Sequence, residues 1–540
     1  MPAPSQTRLF PRAGEIKMRL YGQGLGDCFL LAFPRRGKPK DPCYLVIDCG
    51  AAISTPDKDE RIRRVVEDIH AATGGHIDAL AITHQHYDHI SGFQDAWLEW
   101  QKITVDAVYL PWTERAAEAG DHKGTKAFRE ALERAAMKAL EEAARAGLLD
   151  QPGFRAQADF LGVAIRGEAE AATVQPTDMD GAMAFARGLC PPENIRYFEP
   201  GDVFRLPGTE AHGYVLGPPL KDKANEKGKR YIELLVDEKE MYSYGPLGLK
   251  VDDGLPGGDK AFALSDDHSL PALASALRVA GAVDRAGDEG FSPFPPEVRL
   301  DWDLATGSPF FKNHYGEAKD SIGNGAFRRI DFDWLGQAAQ LALRAGDFTN
   351  NVSLVLAFDH PKSDKMLLFP GDAQVGNWLS WHTIKEWRLC EGADPARPPA
   401  PTEKQTLMEN LLSRIAFYKV GHHGSHNATI KDKGLEAMTR PDLVAYVPVS
   451  IPVAQDLMGY CPMPFYPVLR ALHRKTQGRV FFPNGRPLIS RRDGPEKSPE
   501  TLQEEARIKP SSEMLKEKKD KNGTVLEGPV PLYLEMTVGA

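Results

Sequence analysis

Apolar and polar positions alternate in a strand and helix order over the first hundred residues. Ile16, Met18 and Leu20 alternate with polar neighbours, and Cys28 to Phe33 is wholly apolar. The glycine-rich stretch Gly22-Gln23-Gly24-Leu25-Gly26-Asp27 lies between them, so the pair predicts a hairpin. Tyr44 to Gly50 reads as a third, buried strand that ends in a polar turn. Between Asp59 and Ala72, Ile62, Val65, Val66 and Ile69 recur at helical spacing, and Gly74-Gly75 ends that helix. Ile77 to Thr83 is the next strand. Strand, helix, strand is an α/β order, whose sheets favour functional loops at strand ends.

From residue 111 to 331 the character changes. Thr125 to Ala146 has helix-forming composition, and Gly, Pro and charged stretches dominate the rest. This segment predicts a large insertion, partly helical, serving as a lid or recognition lobe. Regular order returns at 332–490: a helix over Trp334 to Ala345, strands over 352–358, 366–369, 415–420, 443–449 and 480–482, and a helix over 467–475. Residues 1–110 and 332–490 thus read as two halves of one domain. Residues 491–540 read as a charged tail, with an edge strand returning near Pro531 to Met536.

The densest chemistry lies in Thr83-His84-Gln85-His86-Tyr87-Asp88-His89. Imidazole and carboxylate are ligands that borderline divalent ions prefer. So short a loop cannot easily give all four groups to one ion. The economical expectation is two adjacent metals, His84 and His86 serving one, Asp88 and His89 the other. Two further loops after apolar strands carry such groups: Pro370-Gly371-Asp372 and Gly421-His422-His423-Gly424. Asp372 is expected to bridge the ions with its two oxygens, and one of His422 and His423 to complete the second. Such a pair polarises a substrate oxygen and ionises a water near neutral pH, and that hydroxide attacks phosphorus or a carbonyl carbon. Asp88 and His423 are the candidate catalytic side chains, with Asp88 also a ligand and His422 the expected ligand of the pair. Asp48 is a candidate brace for the metal loop.

The set His84-x-His86-x-Asp88-His89, Ser91-Gly92, Gly371-Asp372 and His422-His423-Gly424-Ser425 resembles the metallo-β-lactamase superfamily. More narrowly, the chain resembles the hydrolase domain of ComEC-type competence proteins and their soluble relatives. That match rests on Gly22-Gln23-Gly24, Gly26-Asp27, Val46 to Gly50, Asn351-x-Ser353-Leu354-Val355-Leu356, Tyr466-Pro467-Val468-Leu469 and Gly478-Arg479-Val480. It implies an α/β fold, an αββα four-layer sandwich with a dinuclear site at one edge, here carrying a large insertion. The superfamily usually has another His before the bridging Asp. Here that stretch is Asp347-Phe348-Thr349-Asn350-Asn351-Val352, with Asn351 the candidate supporting residue. This leaves open a loosely held first metal, manganese in place of zinc, or a ligand from the insertion, where His268 and His314 are the residues to check.

Composition adds exclusions. A net charge of −9 over 540 residues provides no global field for nucleic acid, although a local groove is compatible with it. Six scattered cysteines form no Cys-x-x-Cys pair and read as reduced thiols. No segment approaches the roughly 20 apolar residues that span a bilayer, and Met1 to Arg12 does not read as a signal peptide, so the expected location is the cytoplasm. The expected function is a metal-dependent hydrolase using two Zn or Mn ions, a phosphodiesterase or nuclease acting on a phosphodiester substrate such as nucleic acid. Two alternatives stand beside it. One is a hydrolase of a small ester, thioester or lactone. The other is an effector with an incomplete metal site that binds a protein partner through the insertion.

Overall fold

The computed structural model describes residues 8–115, 129, 163–166, 173–176, 179–243, 346–390, 392–454, 463–487, 497–515, 518–519, 525–527 and 529–540. The expected helices at 125–146 and 334–345, and His268 and His314, lie outside them. Two compact units share the chain. The first comprises Met1–Ala127, Thr177–Gly258 and Asp347–Ala540. The second comprises Phe128–Pro176 and Asp259–Gly346, and in it Val163–Arg166 pairs antiparallel with Thr173–Pro176.

The first unit is built on two eight-stranded sheets. In chain order the strands are β1 (Glu15–Tyr21), β2 (Cys28–Arg35), β3 (Lys38–Cys49), β4 (His76–Ala81), β5 (Thr104–Pro111), β6 (Ile195–Phe198), β7 (Asp202–Arg205), β8 (His212–Gly217), β9 (Val355–Asp359), β10 (Met366–Phe369), β11 (Arg388–Leu389), β12 (Ile415–Lys419), β13 (Val444–Tyr446), β14 (Val480–Phe481), β15 (Ile508–Pro510) and β16 (Tyr533–Gly539). The first sheet runs β15-β16-β1-β2-β3-β4-β5-β6 and the second β11-β7-β8-β9-β10-β12-β13-β14. Each sheet mixes antiparallel and parallel pairs; β3 to β6 are parallel in the first, and in the second β10, β12, β13 and β14 run parallel, as does β11 beside β7.

The apolar runs of β2 and β3 follow from burial on both faces. Phe29, Leu31 and Phe33, with Leu45 and Ile47, face the second sheet and meet Leu356, Phe358, Phe369 and Phe417. Leu30, Ala32, Tyr44 and Val46 face the other way, onto helix α1 (Lys58–Thr73) through Ile62, Val65, Val66 and Ile69. Gly74, at φ +72°, ends α1 in the left-handed conformation, and its N–H donates to His70 O. Helix α2 (Tyr87–Asp95) joins the same layer. Phe369 sits at the centre of the intersheet core, 5.5 Å from Phe29 and 5.4 Å from Phe417 between ring centroids. Phe369→Ala should destabilise the fold by about 3–5 kcal/mol in denaturant unfolding, the cost of a large buried cavity.

Two sequence boundaries are corrected. The stretch 111–331 is not one insertion: β6 extends the first sheet, and β7 and β8 belong to the second. These strands are short and lie among Gly and Pro, so periodicity does not reveal them. In 491–540 the strand expected near Pro531 to Met536 is present as β16, but not at a sheet edge. Helix Pro499–Ala506 packs Leu502 and Ala506 into the intersheet core, and β16 lies inside the sheet, paired with β1 over seven positions. Among the described residues no helix is long and apolar enough to cross a membrane.

Candidate metal centre

The ligand-type residues converge at one end of the parallel strands. His84, His86, Asp88 and His89 follow β4, Asp372 follows β10, and His422 and His423 follow β12. All seven are buried. The loop after β4 begins at Thr83, whose N–H and hydroxyl both donate to Asp48, at 2.7 and 2.6 Å. Asp48 has a left-handed backbone, φ 54°, at the end of β3. Its Oδ2 also accepts from His89 Nδ1 at 2.8 Å. Asp48 therefore fixes the proton of His89 on Nδ1 and turns Nε2 inward.

His423 is oriented in the same way. Its Nδ1 donates to Pro448 O at 2.7 Å, and Nε2 lies 2.8 Å from Asp88 Oδ2 and 3.8 Å from Asp372 Oδ2. His89 Nε2 lies 3.2 Å from Asp372 Oδ2 and 3.6 Å from Asp88 Oδ2. Asp88, His89, Asp372 and His423 thus form a quartet whose ligand atoms all lie within 4.8 Å of one another. Asp88 Oδ1, His89 Nε2 and Asp372 Oδ2 are buried without a hydrogen-bond partner. With both Nδ1 atoms donating outward, the inward nitrogens carry lone pairs aimed at carboxylate oxygens. That arrangement calls for positive charge, as protons or as a metal ion.

The titration directions agree. Burial would depress His89 and His423, but Asp372 and Asp88 outweigh it and hold both above the usual imidazole range. Burial would raise Asp88, yet His89 and His423 pull it down to about 2. Burial would also raise Asp372, and His89, Lys419 and His423 hold it well below the usual carboxylate range. The donor set, imidazole with carboxylate, suits a borderline divalent ion such as zinc or manganese.

The other expected ligands stand beside the quartet. His84 donates from Nδ1 toward Thr83 Oγ1 at 3.0 Å, and its Nε2 lies 3.1 Å from His86 Nδ1. Burial, with His89 and His86 adding to it, keeps His84 well below the usual imidazole range. His422 is held apart from the quartet: its backbone N–H donates to Asp372 Oδ1 at 3.0 Å. Its ring lies between Ser425 Oγ, 2.9 Å from Nδ1, and Asn350 Nδ2, 3.3 Å from Nε2. Burial pushes it down to about 3, so at neutral pH it is a neutral imidazole. Both His422 and His423 have positive φ, 42° and 53°, a strained backbone that aims two consecutive rings in different directions.

Sequence reasoning missed three contributors. Lys419, inside an apolar strand, lies against Asp372, and Asp27, quoted only as part of a motif, lies against Lys419; a lysine in such a run is itself a signal, because lysine is rarely buried unpaired. Asn350, not Asn351, faces His422: Asn351 instead donates to Tyr231 O and Ile232 O and accepts from Asn377 N. A fourth contact comes from the stretch read as insertion, where Asp180 accepts from Gln85 Nε2 at 2.7 Å.

Glycine is required where the strand ends meet. A Cβ on Gly50 would lie 2.5 Å from the Asp88 carbonyl carbon and 2.6 Å from His89 N. Gly50→Ala must push the ligand loop outward, and should cost about 1–3 kcal/mol of stability and about tenfold in metal affinity, read by unfolding and by metal titration.

Residues 25–170 match the family model described as Metallo-beta-lactamase superfamily. That match contains the loop His84 to His89 and its braces Asp27 and Asp48; Asp372 and His423 lie beyond it and join the site through the fold. No curated protein and no solved structure gives a match. The superfamily is made up mostly of hydrolases that bind divalent metals. The matched segment, the paired mixed sheets and the buried His and Asp cluster are consistent with a metallo-β-lactamase-like fold.

Proposed function

We propose that this protein is a metal-dependent phosphodiesterase, a relative of the ComEC-type hydrolase domain that acts on phosphodiesters such as nucleic acid. The observation that carries the hydrolase reading is the buried quartet Asp88, His89, Asp372 and His423, in which Asp88 Oδ1, His89 Nε2 and Asp372 Oδ2 have no hydrogen-bond partner. The phosphodiester assignment adds the sequence likeness to the competence-type pattern.

In this reading Asp88, His89, Asp372 and His423 would hold one divalent ion, zinc or manganese, and His84 and His86 would hold a second. Bound there, the ions supply Lewis acidity toward a substrate oxygen and an activated water. The chain's own groups then have distinct tasks. Asp48 and Pro448 O keep the Nδ1 protons of His89 and His423 turned away from the centre. His423 thereby takes the ligand role expected of His422. His422, neutral and donating through Nδ1 to Ser425, presents Nε2 as an acceptor and is no proton source for a leaving group.

Purified protein should hydrolyse bis-p-nitrophenyl phosphate or single-stranded DNA with added Mn²⁺ or Zn²⁺, and a chelator should stop it. Turnover of thioesters or lactones with both phosphodiesters inert would move the assignment to acyl transfer. No turnover on either panel with any metal would defeat the hydrolase reading.

A further inference from the structure

Lys419 closes β12, and its side chain is 0 % exposed. Its Nζ lies 2.5 Å from Asp27 Oδ2, 2.7 Å from Gly371 O and 3.1 Å from Asp372 Oδ1. An ammonium has three N–H donors, and these three acceptors use them all. Asp372 Oδ1 accepts from both Lys419 Nζ and the His422 N–H at 3.0 Å. Both lone-pair directions of that oxygen are occupied. The other oxygen, Oδ2, has no hydrogen-bond partner and faces His89 and His423.

The expectation is that Asp372 bridges with two oxygens; here one oxygen is hydrogen-bonded to the protein. We propose that Lys419 is a positioning residue for the metal centre, a fixed internal cation that turns Asp372 so that only Oδ2 is presented to the ions. Asp27 holds the lysine in place from the far side. The inference rests on the reading of the quartet as a metal site. A carboxylate with two free oxygens can chelate one ion or span two; engaging Oδ1 removes both modes and leaves a single-oxygen ligand. The Gly371 carbonyl accepts from the same ammonium, which ties the turn that carries Asp372 to β12.

Removing the lysine alone leaves Asp27 buried without its cation, a cost to folding that says nothing about metal. The test therefore uses Lys419→Met and the double variant Lys419→Met/Asp27→Asn, which removes the ion pair as a unit. Metal-free wild type and both variants are titrated with Co²⁺, following the visible absorption bands and the thermal midpoint. Affinity should fall about 10–100-fold in both variants, as for other residues that orient a ligand. The Co²⁺ bands should also shift, because Asp372 would present a different set of oxygens. If the double variant keeps the wild-type affinity and spectrum, Lys419 merely offsets Asp27 and the inference is overturned. If the wild type itself binds no Co²⁺, the metal-site reading falls first and takes this inference with it.

Discussion

Asp372→Ala should reduce metal-dependent phosphodiester hydrolysis by at least about a thousandfold in kcat/KM, or ~4 kcal/mol at 1.36 kcal/mol per decade. Asp372 joins everything in the centre. Oδ2 lies within 3.8 Å of the inward nitrogens of His89 and His423, and Oδ1 receives Lys419 and the His422 backbone. Deleting the carboxylate would remove one of the four quartet groups and leave Lys419 with Asp27 as its sole carboxylate partner among the described residues. Breaking a buried charge pair costs about 3–5 kcal/mol. The variant should therefore be assayed below its own thermal midpoint, with circular dichroism to establish that it is folded. A folded Asp372→Ala protein whose activity stays within tenfold of wild type would remove Asp372 from the machinery.

Stripping the metal should lower the stability of the whole protein, and restoring it should proceed in two phases. Saturating a site a thousandfold above its Kd adds ~4 kcal/mol to the folded state. The quartet is already assembled, its atoms within 4.8 Å, whereas His84 and His86 spend a contact on each other. The first equivalent of Mn²⁺ or Zn²⁺ should therefore bind at Asp88, His89, Asp372 and His423, and a second more weakly beside His84 and His86. His84→Ala/His86→Ala should keep the tight phase and lose the weak one, and His423→Ala should lose the tight phase. Calorimetric titration in which the two variants exchange these results would refute the assignment.

The different placement of His422 and His423 has a physical basis. Adjacent histidines in a sequence are equivalent candidates. They differ only because the left-handed backbone at both positions sends one ring to Asp88 and the other to Asn350 and Ser425. No periodicity encodes that choice. Asn350 and Asn351 pose the same problem: the helical turn at 346–351 aims one at the site and the other at the backbone of Tyr231 and Ile232. The edge strands were illegible for another reason. A central strand such as β2 is buried on both faces and reads as a continuous apolar run. By contrast, β6, at a sheet edge, buries Phe198 alone and leaves a weak pattern in four residues.

The sequence by itself determined the central apolar strands, helix α1 and the loops from which His84 to His89, Asp372 and the His422–His423 pair emerge. It could do so because burial on two faces and dense ligand spacing are local properties. Tertiary structure alone decided that β6 to β8 belong to the two sheets, that β16 lies inside its sheet and not at an edge, and that His423 joins the quartet. It alone decided that a lysine from β12 takes one oxygen of Asp372. Those outcomes depend on which groups meet across hundreds of residues, as Asp88 and His423 do at 2.8 Å, and a contact of that range is set by packing.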